Sequence, residues 1–196
     1  MHRLKLLLSY ALIAGGAFFL FQGARDLLES RFGQTAAERE FDRTPPAPVP
    51  QPLLPPPSPG DTIGKLLIPR LDAQLYVVEG DGNWELRRGP GHMSGTAMPG
   101  DFGNCVIAGH RDTHFRILKD IRRGDDIIIE TRAGEYLYRV KSTRIVPPTN
   151  TSALQPTHNA ELNLITCYPF YYVGAAPKRF VVEAQLAGAA DSKSGS

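Results

Sequence analysis

Nine of the seventeen residues from Thr44 to Gly60 (TPPAPVPQPLLPPPSPG) are proline. Such a stretch has few backbone donors and fixed φ values, so it can neither continue a helix nor sit inside a sheet. It favours extended polyproline II, at about 3.1 Å per residue or roughly 50 Å in all. It therefore splits the chain into an N-terminal segment and a C-terminal folded part. The plain reading is a stiff spacer; a ligand for an SH3-like partner is the second.

The N-terminal segment contains Leu6–Ala24, nineteen residues without a charge. As a helix this run would be roughly 29 Å long, close to the ~30 Å hydrocarbon core of a bilayer. A cleaved signal peptide has a shorter apolar core and a small-x-small cleavage site. No clean site follows Phe18-Phe19-Leu20-Phe21-Gln22. The segment is therefore read as an uncleaved, single-pass signal anchor, ahead of a cleaved signal or a buried helix. The charge count does not favour an external C-terminus: Arg3 and Lys5 precede the run, whereas Arg25, Arg31, Arg39 and Arg43 follow.

The expected organisation is an anchor over 1–24, a juxtamembrane segment and linker over 25–60, a catalytic domain over 61–186 and a disordered tail over 187–196. Residues 25–43 read as a frayed amphipathic helix. Lys plus Arg number 22 against 20 Asp plus Glu, for a net charge of +2. That balance argues against a nucleic-acid binder, which needs a basic face. Two cysteines are too few for a disulfide scaffold, and nothing has zinc-ligand spacing. No acidic cluster has a convincing calcium-ligand count, so neither metal nor cofactor is expected.

The folded part reads as short strands broken by turns: Ile63–Ile68, Gln74–Val78, Asn104–Gly109, Asp126–Thr131, Glu135–Lys141, Leu162–Cys167 and Arg179–Leu186. Asn83–Arg88 and His114–Ile121 read as short helices. Seven or eight strands without a βαβ rhythm point to an all-β, mainly antiparallel barrel. Alternation then sorts the faces. Phe180, Val182, Ala184 and Leu186 face the core, with Arg179 outward. If Leu162 and Leu164 face inward, Cys167 faces outward. In Asn104–His110 the parity is ambiguous; placing His110 outward places Cys105 inward.

A Cys, a His and an Arg on one surface can perform acyl transfer: thiolate attack, proton relay to the leaving amine, and stabilisation of the oxyanion. Cys167 and His110 each end a strand, and Arg179 opens one. The residue types alone are a weak signal beside an inert thiol, a turn histidine and a solvated arginine.

The wording around them adds specificity. Gly103-Asn104-Cys105-Val106-Ile107-Ala108-Gly109-His110-Arg111, Leu162-Asn163-Leu164-Ile165-Thr166-Cys167, Lys178-Arg179 ahead of a strand, and Gly89-Pro90-Gly91-His92 followed by Thr96-Ala97-Met98-Pro99-Gly100 resemble the sortase family. Tyr168-Pro169-Phe170 and Ala176-Pro177-Lys178-Arg179 look most like class D sortases. The resemblance covers residues 61–186.

The resemblance implies a closed eight-stranded β-barrel with short helices, preceded by one transmembrane helix. It implies a cysteine transpeptidase on the outer face of the bacterial cytoplasmic membrane. Such an enzyme cuts an LPXTG-like sorting signal of a secreted protein through a thioacyl intermediate. It then passes the acyl group to an amine of a peptidoglycan precursor or a pilin lysine. Carried over, Cys167 is the nucleophile, His110 the general acid and base, and Arg179 the oxyanion and substrate-positioning group. Thr166 and Leu154 are candidate substrate contacts, and Pro147–Glu161 a candidate substrate wall; His92, in a Gly-rich turn segment, reads first as a structural loop residue and second as a substrate contact. Cys105 is expected to be buried and inert, with a redox lock to Cys167 the minority reading. Another surface cysteine peptidase or L,D-transpeptidase-like enzyme is the runner-up, though the Ser-x-Gly-Cys context of the latter is absent. A non-catalytic anchored binding domain is the third reading.

Overall fold

The structure is a computed structural model that describes residues 2–43, 56–172 and 174–189; side chains of 2–9, 11, 26–27, 30–31 and 188–189 are outside this set. The proline-rich run, for residues 44–55, and the tail from 190 onward lie outside the described residues.

Eight strands close into one barrel in the order β1-β2-β3-β4-β7-β8-β6-β5. They are β1 Thr62–Ile68, β2 Ala73–Glu79, β3 Gly91–His92, β4 Asn104–Gly109, β5 Asp126–Thr131, β6 Gly134–Val146, β7 Glu161–Tyr168 and β8 Lys178–Ala189. Two pairings, β2 with β3 and β4 with β7, are parallel, and the rest are antiparallel. The expected all-β barrel is thus the observed fold.

Alternation builds the core. Leu66 and Ile68 of β1, Ile107 of β4, Ile127 and Ile129 of β5 and Leu162 and Leu164 of β7 are fully buried inside the barrel. Phe115 and Leu118, on the 3-10 helix His114–Asp120, close one end. Fully buried Tyr138 spends its hydroxyl on the backbone N–H of Gly100, which donates to it at 2.7 Å. Gly64 lets β1 approach β5: a Cβ there would stand 2.7 Å from the Glu130 carbonyl oxygen.

Three strands depart from the sequence expectation in extent or in being present at all. β6 runs on to Val146, past the expected end at Lys141. A bulge between Val140 and Ser142 shifts its register against β8 and breaks the period-two pattern. β3 has only two residues, too short to carry a pattern, yet it closes the barrel between β2 and β4. β8 continues to Ala189, into the region expected to be a disordered tail.

The N-terminal segment is one continuous helix, α1 His2–Arg43, where residues 25–43 were expected to fray. Among the described residues no helix is long and apolar enough to cross a membrane. The expected span Leu6–Ala24 begins among residues whose side chains are not described.

The second half of α1 packs on the barrel, and the reason lies in β2. β3 pairs with β2 only at Val78 and Glu79, leaving the earlier part of that β2 edge open. An open edge carries unpaired backbone groups. The Gln34 amide pairs with them as a strand would: the Tyr76 N–H donates to Gln34 Oε1 at 2.7 Å, and Gln34 Nε2 donates to the Tyr76 carbonyl at 3.0 Å. Nε2 also donates to the Arg88 carbonyl at 2.8 Å, tying in the short helix α2 Asn83–Arg88.

Candidate active site

β4 and β7 run parallel, with Cys105 opposite Leu162, Ile107 opposite Leu164 and Gly109 opposite Thr166. Those residues face inward, which resolves the parity of β4: Cys105 belongs to the core at 1% exposure. His110 and Cys167 each follow by one residue and therefore face outward, side by side, at the same end of the barrel. β8 lies antiparallel on the other side of β7 and pairs Arg179 with Cys167. Cross-strand partners share a face. One register thus brings thiol, imidazole and guanidinium to one surface from β7, the residue that follows β4, and the start of β8.

The three line one groove of about 370 Å³. Ala108, Gly109, Ile165, Thr166 and Val181 contribute to the lining beside them, Pro148, Ala153 and Leu154 from the β6–β7 connection form one flank, and Asp81, Leu86 and Met93 lie along the other. Cys167 is half-buried, as are His110 and Arg179, so each is reachable from solvent. The Arg179 guanidinium rests on its own loop, donating to the Lys178 carbonyl at 3.1 Å and the Ala176 carbonyl at 3.4 Å.

The three candidate substrate contacts fall in different places. His92 is 2% exposed and does not line the groove. Its Nδ1 lies 2.6 Å from Glu79 Oε2, and its Nε2 lies 3.0 Å from both the Ala97 carbonyl and Thr96 Oγ1. With both ring nitrogens engaged inside the protein, His92 braces β2 against β3. Thr166 contributes to the groove lining but is only 2% exposed, and its hydroxyl donates to the Gly109 carbonyl. Leu154, by contrast, is half-buried on the groove flank.

Several residues that hold this site were not singled out from sequence. The β6–β7 connection is fastened by Asn104, whose Nδ2 donates to the carbonyls of Ala153 at 2.8 Å and Gln155 at 2.9 Å. Asn163 Nδ2 in turn donates to Asn104 Oδ1 at 2.7 Å. Both amides sit on the outward face yet are only 4% exposed, because the connection closes over them. Amides at outward positions of two neighbouring strands were the available signal.

Arg111 is the second such residue. Its Nη2 donates to the carbonyls of Tyr172 and Gly174, both at 2.9 Å. Its guanidinium also lies 5.7 Å from the Tyr172 ring centroid. Arg116 repeats the contact on Tyr171 at 5.1 Å. The loop between Cys167 and Arg179 is thereby held by the segment that begins at His110.

His114 is buried, and desolvation pushes its imidazole down to about 4, with a hydrogen bond to the Arg87 backbone opposing the shift and His110 adding to it. It is neutral at pH 7. The two cysteines are both free thiols. Burial raises the Cys105 thiol well above the ordinary range, assisted by Asp101 and Glu79. It faces the core while Cys167 faces the groove.

Comparison with known proteins gives the family of the fold. The sortase domain family matches residues 66–187. Sortase D of Bacillus subtilis is 40% identical over 127 residues, covering 64% of this chain and 64% of that protein. Sortase SrtE1 of Streptomyces coelicolor is 34% identical over 130 residues, covering 57% of this chain and 37% of that one. The chain therefore spans less than two thirds of either relative. The catalytic domain of B. anthracis SrtD superimposes with a TM-score of 0.59 at 30% identity, covering 69% of this chain and 93% of that one. A Clostridium perfringens sortase D5 transpeptidase shares the fold at a TM-score of 0.68, with 24% identity over 82% of this chain and 99% of that one. With the domain match spanning most of the barrel, the chain belongs to the sortase family and is most like its class D.

Proposed function

We propose that the protein is a membrane-held cysteine transpeptidase that cleaves LPXTG-like sorting signals and passes the acyl group to an amine. The observation that carries this reading is the shared register that aligns His110, Cys167 and Arg179 along one groove.

The reaction follows from those positions. The Cys167 thiolate attacks the carbonyl carbon of the scissile amide. The Arg179 guanidinium, on the neighbouring strand, offers N–H donors and positive charge to the oxygen that becomes an oxyanion. Collapse breaks the C–N bond, and protonated His110 gives its proton to the departing amine. A thioester on Cys167 remains. Neutral His110 then takes a proton from the acceptor amine as that amine attacks the thioester carbon. The C–S bond breaks and the thiolate is restored, so no cofactor is required. Pro148, Ala153 and Leu154 supply an apolar flank suited to a Leu-Pro segment.

The acceptor, a peptidoglycan precursor or a pilin lysine, and the outer face of the cytoplasmic membrane as location come from the family likeness. The membrane reading is also supported by the first half of α1, where Leu12, Ile13, Phe18, Phe19, Leu20 and Phe21 stand well exposed.

The test is a panel of quenched sorting-signal peptides, with and without an amine acceptor. Cleavage that rises or changes product with the amine is expected. Cys167→Ala and His110→Ala should each abolish turnover while melting like the native chain, and Arg179→Ala should lower kcat by roughly a hundredfold or more. Near-native turnover in either of the first two variants refutes the assignment. Turnover without any sorting-signal preference would favour a general surface cysteine peptidase.

A further inference from the structure

We infer that α1 is a rigid strut that seats the barrel directly against a bilayer surface, so that the proline-rich segment does not set the barrel's distance from the membrane. The inference rests on the membrane-anchoring reading above and goes beyond it.

Over Phe18–Phe21, α1 is apolar on all sides. Phe18, Phe19, Leu20 and Phe21 are 58%, 77%, 77% and 66% exposed. Successive helical residues point about 100° apart, so these four cover the whole circumference. A groove in a partner protein covers one stripe of a helix. A medium that surrounds the helix covers all of it, and the uncharged run Leu6–Ala24 has the length of a hydrocarbon core. The bilayer is the occupant that fits.

The second half of the same helix is amphipathic and docked. Gly33 sits so close to α2 that a Cβ there would lie 2.6 Å from Arg88 Cα. Gln34 fills the open β2 edge, Ala37 is fully buried, and Glu40 accepts from Thr62 Oγ1 at 3.1 Å. The Phe41 ring lies 6.1 Å from that of Tyr76. Positions 33, 34, 37, 40 and 41 form one helical face. One turn earlier on the same side, Glu29 reaches Arg87 at 3.6 Å.

Nothing interrupts α1 between the two halves. From Ala24 to Gln34 is ten residues, or about 15 Å along the axis. The docking edge of the barrel therefore stands about 15 Å beyond the apolar run, where a fully extended spacer would allow roughly 50 Å. The Glu40–Thr62 contact makes the point a second way: the chain re-enters the barrel beside the place where α1 ends. Lengthening the residues between them changes nothing about where the barrel is held.

The experiment uses the full chain in lipid vesicles. Asn83→Cys, in a Cys167→Ala background, carries a donor dye on exposed α2, and headgroup-labelled lipids carry the acceptor. Strong energy transfer is expected, unchanged when residues 44–55 are duplicated. Gly33→Leu, which forces α1 off Arg88, should cut the transfer several-fold, and Gln34→Ala should act in the same direction should Gly33→Leu fail to fold. Weak transfer in a chain that floats with the vesicles, or transfer that falls on duplication, overturns the strut and leaves the anchor intact. A chain that does not float with the vesicles overturns both.

Discussion

The Thr166 hydroxyl donates to the Gly109 carbonyl oxygen at 2.7 Å. Each of these residues is followed by a reactive group, Cys167 after one and His110 after the other. This buried hydrogen bond therefore pins the ends of two parallel strands at the point where the proposed nucleophile and acid–base group must meet. Thr166→Val keeps the shape and removes the donor. The expected outcome is a loss of about 1 kcal/mol of stability and a fall in kcat of roughly tenfold or more, since small misplacements of reacting groups are costly. Thr166→Ser, which retains the donor, should recover most of kcat. Steady-state kinetics beside urea melts decide it; equal kcat in Val and Ser variants would remove the positioning role.

Arg111 links the His110 segment to the loop that separates Cys167 from Arg179, through two carbonyls and one aromatic face. A lysine keeps the charge but cannot reproduce the planar fork. Arg111→Ala is expected to lower kcat/KM by roughly ten- to a hundredfold, with Arg111→Lys recovering little of it. The pH profile of kcat/KM should keep its shape, because Arg111 moves no proton. Full recovery by lysine would reduce the role to charge alone.

Much of the barrel was legible because its strands bury one face. Asn104–Gly109, Asp126–Thr131 and Asn83–Arg88 have the bounds that alternation and turn residues give them. The outward placement of Cys167 follows from Leu162 and Leu164 pointing inward. What was not legible depends on partners distant in sequence. His92 reads as a turn residue because Glu79, which holds it, comes thirteen positions earlier on another strand. Gln34, within the helix expected over 25–43, carries no signal of its own, because the open β2 edge it fills exists only once the barrel has closed. β3 is two residues long and is defined by its neighbours rather than by its own pattern.

Asn104 and Asn163 form a relay from β7 through β4 to the carbonyls of Ala153 and Gln155. They hold the groove flank that carries Leu154. Asn104→Ala leaves two carbonyls without their donor and should cost about 1–3 kcal/mol. It should also raise KM for the sorting-signal peptide more than it lowers kcat, because the flank binds rather than reacts. Asn163→Ala removes only the outer link and should cost less. In the double variant the two losses should fall short of additive, as expected for residues in one network. Additive losses with an unchanged KM would show that the amides serve the fold alone.

His114 gives the fold a defined weakness to acid. Its buried imidazole titrates at about 4, against an ordinary value of 6.5, chiefly through desolvation. Between those two values the unfolded chain binds a proton there that the folded chain does not. Stability from this residue is therefore complete above pH 6.5, declines as pH falls toward 4, and declines no further below it. The full excursion is about 3 kcal/mol at most, at 1.36 kcal/mol per unit. Urea unfolding midpoints of the native chain and of His114→Gln, measured from pH 7.5 to 4 on full-length protein, isolate the contribution as a difference. The native chain should lose stability more steeply over that window. Asp125 sits outside it: the Arg70 guanidinium holds its carboxyl below the usual range, so its contribution is lost only as pH falls further. Parallel curves for the two proteins would mean that the His114 ring is already reached by water, and that the packing of His114–Asp120 against the His110 segment is looser than its burial implies.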